Sequence, residues 1–127
     1  MLDDGTRELR PFHPSSLKFI YYGMTYNHPS MFVHRDTYKD LKYNTELRAL
    51  SDYEFVLTNK LRWPDIFLYI PNTYVNYRLD GISGSMNFLN AIKEGYISRK
   101  NAGLNLPQNI ISVLIRTLRV LIDKILL

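Results

Sequence analysis

The sequence predicts an α/β or α+β domain: a small sheet packed with helices and closed by a long apolar C-terminal helix. Three observations predict it. Ser51-Asp52-Tyr53-Glu54 reads as a capping box ahead of an apolar repeat at helical spacing. Two runs, Asp65 to Ile70 and Thr73 to Leu79, flank Pro71-Asn72 and read as strands. Behind Pro107 the chain is dominated by Ile, Leu and Val to its end. No regular βαβ rhythm separates α/β from α+β. The 127 residues make one domain, and a hydrophobic share of 46% is enough for a buried core. A body over 1–106 and a C-terminal amphipathic helix over 107–127 are expected.

Taken in order, Leu2 to Ser16 is polar with two prolines and reads as a loop. Leu17 to Met24 suits a short strand or a helical turn, because periodicity does not decide. Tyr26 to Ser30 is a turn in which Pro29 holds His28 out of the helical region. Met31 to His34 reads as a strand, and Asp36 caps a brief helix through Leu41. Tyr43 to Leu50 is a polar connection. In the next helix Tyr53, Val56, Leu57 and Leu61 fall on one face, and Trp63-Pro64 ends it. The two strands follow, antiparallel across Pro71-Asn72, with Thr73, Val75 and Tyr77 on one side of the second. Asp80 to Ser85 is a loop, Ser85 to Asn101 a helix, and Pro107 opens the last helix.

Composition excludes several chemistries. There are no cysteines, so a disulfide scaffold, a thiolate zinc site and a cysteine nucleophile are out. The three histidines lack the spacing of a metal pair, so no protein-only metal site is expected. Sixteen Lys and Arg against twelve Asp and Glu give a net charge of +4. That suits phosphates or lipid headgroups. The basic residues form no stripe, so no nucleic-acid partner is expected. No apolar run is long enough to span a bilayer, and the acidic start does not read as a secretory signal. A cytoplasmic address is expected, with peripheral contact at the inner face of the membrane as an extension of it.

Four segments carry a resemblance. They are His28-Pro-Ser-Met-Phe-Val-His-Arg35, Tyr38-Lys-Asp-Leu41, Ser51-Asp-Tyr-Glu-Phe55 and Tyr77-Arg-Leu-Asp-Gly-Ile-Ser83. In order and spacing they resemble the second, acceptor-side half of family 2 glycosyltransferases, in the subgroup that builds bacterial surface polysaccharides. The resemblance covers about residues 12 to 101. It implies part of a GT-A type, nucleotide-diphospho-sugar transferase-like fold. The implied activity is transfer of a sugar from a nucleotide-sugar donor to a glycan or lipid-linked acceptor. The complete family enzyme uses a divalent Mg or Mn ion held by an Asp-x-Asp motif. This chain has no Asp-x-Asp, nothing like the nucleotide-binding strands precedes Leu17, and Asp80 stands where the family has a second Gly. The ligands for the ion are therefore not expected in this chain. The resemblance implies either a truncated or split product of such an enzyme or a fragment whose donor half a partner chain supplies.

The resemblance gives Asp52 the role of catalytic base. A glycosyl transfer with inversion needs one carboxylate to take the proton of the attacking hydroxyl. A first-turn position also suits Asp for a plainer reason, since it complements the helix dipole. Glu54, two residues on, points elsewhere and reads as the return arm of the capping box. His28 and Ser30 are placed near a bound sugar, where a neutral imidazole can bond a hydroxyl. The plainer reading is a turn bonded to its own backbone. Arg78, Gly81 and Ser83 form a loop able to approach a diphosphate, or else an ordinary connection with a serine cap. Asp80 would repel a phosphate there.

In the last helix Ser112, Arg116, Arg119 and Asp123 form one polar stripe. The apolar remainder needs cover from the body, another subunit or a membrane interface. The competing function is accordingly a non-catalytic remnant or accessory module that binds a partner protein or membrane through this helix.

Overall fold

The computed structural model describes residues 2–3, 9–10, 16–25, 27–72, 75–78 and 85–126. They are helical, which corrects the expected α/β or α+β class. Helix α1 is Thr37–Asp40, α2 is Ser51–Arg62, α3 is Phe88–Ala102 and α4 is Leu106–Leu126. Single 3-10 turns occupy Leu17–Tyr22 and His28–Ser30. Extended pairing among the described residues is limited to Leu2–Asp3, Leu9–Arg10 and Tyr77–Arg78. Segments of two residues make no layer.

The expected strand over Asp65–Ile70 is not formed. Phe67 packs against the core, while Ile66, Leu68, Tyr69 and Ile70 face outward, with Leu68 85% exposed and Tyr69 70% exposed. A run of β-favouring residues becomes a strand only where another strand completes its hydrogen bonds. None of the described residues does so. Met31 to His34, also expected as a strand, is not assigned as one. Of the second expected strand, 73–74 and 79 lie outside the described residues. Tyr77–Arg78 pairs in parallel with Leu2–Asp3 and not with Asp65–Ile70. The open choice at Leu17–Met24 resolves as a helical turn, with the Ser16 hydroxyl accepting the Lys18 N–H at 3.3 Å.

Helix α2 is the centre of the molecule. The spacing of Tyr53, Val56 and Leu57 predicts their burial, and all three are buried. Phe55, Thr58 and Asn59 are buried too, so α2 is enclosed nearly all round. Its polar members close onto the helix itself. The Thr58 hydroxyl donates to the Glu54 carbonyl at 2.7 Å, and the Asn59 amide donates to the Phe55 carbonyl at 2.8 Å. Ile20 and Leu104 complete the core around Tyr53, Phe55, Val56 and Leu57. The Tyr53 hydroxyl donates to the Ile20 carbonyl at 2.7 Å, tying α2 to the first 3-10 turn.

The capping box predicted at Ser51–Glu54 is absent. Leu50 takes the cap position, and Glu54 turns instead to the side-chain amides of Asn44 and Asn101. The box is at the other end of the chain. Asn105 Oδ1 accepts the Gln108 N–H at 3.0 Å, and Gln108 Oε1 accepts the Asn105 N–H at 3.1 Å. Just before it, α3 ends on Gly103 at φ 107°, where the Leu104 N–H reaches back to the Arg99 carbonyl at 3.0 Å. This is a left-handed helix stop of the kind glycine favours. The sharp reversal lays α4 back along α3 and the first 3-10 turn.

Helix α4 packs with the first half of its polar stripe inward, while Arg119 and Asp123 of that stripe are exposed. Asn109 and Ser112 are buried, and Arg116 is partly buried. Asn109 bonds Arg99 Nε at 2.8 Å and the Tyr96 carbonyl at 2.9 Å. The Ile and Leu residues of α4 are left exposed.

Candidate functional site

Asp52 stands in the first turn of α2, as the sequence predicts. Its Oδ1 accepts the Tyr53 N–H at 2.7 Å, which fixes the carboxylate plane. Its Oδ2 lies 3.5 Å from His28 Nδ1. The two side chains are 26% and 32% exposed, so the pair sits at the surface with one side open. His28 is held there by the 3-10 turn His28–Ser30 that Pro29 opens. The sequence nominates both residues, and the fold brings them together across 24 positions of chain.

A third member was not legible in the sequence. The Tyr43 hydroxyl lies 3.2 Å from His28 Nε2 and 3.5 Å from the Tyr38 hydroxyl. Burial, the Tyr38 hydroxyl and the Asp52 charge push the Tyr43 phenol well above the usual tyrosine range. A carboxylate only accepts, so a neutral His28 that turns Nδ1–H to Asp52 leaves Nε2 to accept the Tyr43 O–H. Tyr43 is fixed in turn by Phe55, whose ring centroid is 4.7 Å away, and Tyr38 stacks on Phe55 at 5.2 Å. No local motif marks Tyr43. Its partners become neighbours only when α2 carries Phe55 under the 38–43 segment.

The leading end of α2 is held from α3. One Glu94 carboxylate accepts the backbone N–H groups of Arg48, Ala49 and Leu50 at 3.0, 3.0 and 3.1 Å. It anchors the backbone just ahead of α2, including the N–H of Leu50 at the cap position. Glu94 also lines a hollow of about 140 Å³ with Arg48, Ser85, Met86, Asn87 and Asn90. A second hollow of about 170 Å³ lies between Tyr21, Tyr22, Leu104, Gln108, Ile111 and Ser112. Asp52 lines neither.

The other nominated residues fare differently. The Ser30 hydroxyl donates to the Asn27 carbonyl at 2.8 Å, the self-contained turn of the plainer reading. Arg78 is described in its backbone only, paired with Asp3. Gly81 and Ser83 lie outside the described residues, in the segment that leads to the Ser85–Asn87 wall of the first hollow. Among the described residues no cluster of acidic and histidine side chains has the geometry of a metal site.

Arg99 is a further residue that sequence reasoning passed over. It is fully buried, and its Nη1 and Nη2 have no hydrogen-bond partner. It faces the Tyr53 hydroxyl and Arg116. Burial lowers the Arg116 guanidinium and the Arg99 charge lowers it further. Burial raises the Tyr53 phenol, while Arg99 and Arg116 oppose that rise.

Comparison of the chain with models of known families, with curated proteins and with solved structures gives no significant match.

Proposed function

We propose that the chain is the acceptor-side lobe of a glycosyltransferase, moving a sugar from a nucleotide-sugar donor to a glycan or lipid-linked acceptor. The reading rests on the sequence resemblance. The observation that carries it furthest is the state of Asp52: one oxygen is fixed by the Tyr53 N–H, the other faces His28, and the side chain is still open to solvent.

In this reading the acceptor hydroxyl oxygen attacks the anomeric carbon of the donor. The bond to the nucleotide diphosphate breaks, and its electron pair leaves with the phosphate. The hydroxyl proton passes to Asp52 Oδ2. His28, held through Nε2 by Tyr43, keeps the carboxylate oriented. The donor, and the divalent ion that accompanies it in the family, belong to a partner chain. The exposed side chains of Ile66, Leu68, Tyr69 and Ile70 support that division, as an uncovered apolar surface on which such a lobe would pack.

The test is transfer of a radiolabelled sugar from a panel of nucleotide sugars, with manganese, to membranes carrying lipid-linked acceptors. The chain is assayed together with whatever chain co-purifies with it. Asp52→Asn is expected to abolish transfer while circular dichroism and association stay unchanged. Unchanged turnover in that variant removes Asp52 from the chemistry.

A further inference from the structure

We propose that α4 lies along an anionic lipid surface, with its outward face in the headgroup–acyl boundary. The starting point is the inversion of this helix. Its inward side is polar and anchored: Asn109 bonds Arg99 and the Tyr96 carbonyl, and Ser112 donates to the Gln108 carbonyl at 2.8 Å. Its outward side carries nine Ile and Leu residues between Ile110 and Leu126, each 39–81% exposed. The hydrogen bonds fix which side faces out, so the apolar side cannot roll inward without stranding Asn109 and Arg99.

Three features select a lipid surface. The first is width. At 3.6 residues per turn the nine residues span an arc of about 160° centred on Leu118. A two-helix pairing buries a narrower seam, here Ile111, Leu114, Leu118, Leu121 and Ile125, and would leave Ile115 and Ile122 beside it in water. A hydrocarbon boundary covers the whole arc. The second is charge. Arg119 and Lys124 are exposed and lie just beyond the two edges of the arc, about 100° and 120° from its centre. From there their long side chains reach phosphates while their stems stay apolar. Asp123, the single acid of the helix, is exposed and lies further round, about 140° from the centre of the arc. The third is length. From Ile110 to Leu126 the arc is a continuous strip about 25 Å long. The inference does not depend on the glycosyltransferase reading.

The experiment uses the full chain and two kinds of vesicle, phosphatidylcholine alone and phosphatidylcholine with one third phosphatidylglycerol. The chain has no cysteine, so single labels are clean. Leu118→Cys and Asp123→Cys each carry an environment-sensitive fluorophore, and each label is exposed in the free protein. Anionic vesicles are expected to shift the emission at 118 to the blue and to leave the label at 123 little changed. Sedimentation should show binding to phosphatidylcholine alone on the order of tenfold weaker, and Arg119→Glu with Lys124→Glu should erase that difference. Two results overturn the proposal. One is no shift at 118 with either vesicle. The other is a dimer by light scattering that keeps vesicles from shifting the label at 118, which would assign the face to a second copy. Because the labels are read on folded protein, failure of any charge variant to fold leaves the 118/123 comparison decisive.

Discussion

The Glu94 carboxylate accepts the Leu50 N–H at 3.1 Å, from a residue 44 positions away, and so anchors the backbone that enters the helix carrying Asp52. With the Arg48 and Ala49 bonds it gathers three backbone donors ahead of α2. Bonds to a charged acceptor are the strong ones. Glu94→Ala is therefore expected to cost on the order of 3 kcal/mol and Glu94→Gln a smaller part of that, read by urea denaturation. A loss under about 0.5 kcal/mol for Glu94→Ala would mean that water replaces the carboxylate at no cost.

Two tyrosines set the behaviour at high pH. Burial is the first cause raising both the Tyr43 and the Tyr53 phenol above the ordinary tyrosine value. A group raised in the folded state contributes stability that is complete below its unfolded value. That stability is lost as pH climbs through the folded value. Unfolding free energy is thus expected to hold to about pH 10 and fall above it. In an ultraviolet phenolate titration, two of the ten tyrosines should ionise last, together with unfolding. Early ionisation of all ten would contradict the burial of this pair.

Arg99 is a buried guanidinium with one side-chain partner, Asn109. Replacing an uncompensated buried charge by an apolar side chain of similar length is often neutral or stabilising. Arg99→Met is expected to change stability by less than about 1 kcal/mol, and Arg99→Met with Asn109→Leu to raise it. A loss of about 3 kcal/mol in the single variant would show the guanidinium to be a net stabiliser. Thermal melts of the two variants beside the parent decide it.

Gly103 has nothing within 4 Å of where a Cβ would sit, yet its φ is 107°. Gly103→Ala should therefore cost roughly 1 kcal/mol through backbone conformation alone. Gly103→Asn should cost less, because asparagine enters the left-handed region more readily. Equal stability of the alanine variant would mean that the turn relaxes.

Several local readings hold. The α2 face of Tyr53, Val56 and Leu57, with Leu61 half-buried beside it, the stop at Trp63-Pro64 and the last helix behind Pro107 all rest on short-range spacing and backbone chemistry. The first-turn position of Asp52 belongs with them, whereas His28, expected outside the helical region, is the first residue of a 3-10 turn. Capping depends on competing partners. Ser51 and Glu54 have the right spacing, but Leu50 takes the cap position and Asn44 and Asn101 take the Glu54 carboxylate.

The sequence alone therefore determined the helices, their ends and which residues are apolar. Tertiary structure decided what those residues face. Asp65–Ile70 has strand composition, but a strand is a property of its neighbour's hydrogen bonds as much as of its own side chains. The stripe on α4 is plain in the sequence, yet only the buried Arg99–Asn109 pairing turns its first half inward and leaves the aliphatic side out. The approach of Tyr43 to His28 and of His28 to Asp52 has the same origin. Contacts across 15 and 24 residues are set by packing, which no local pattern encodes.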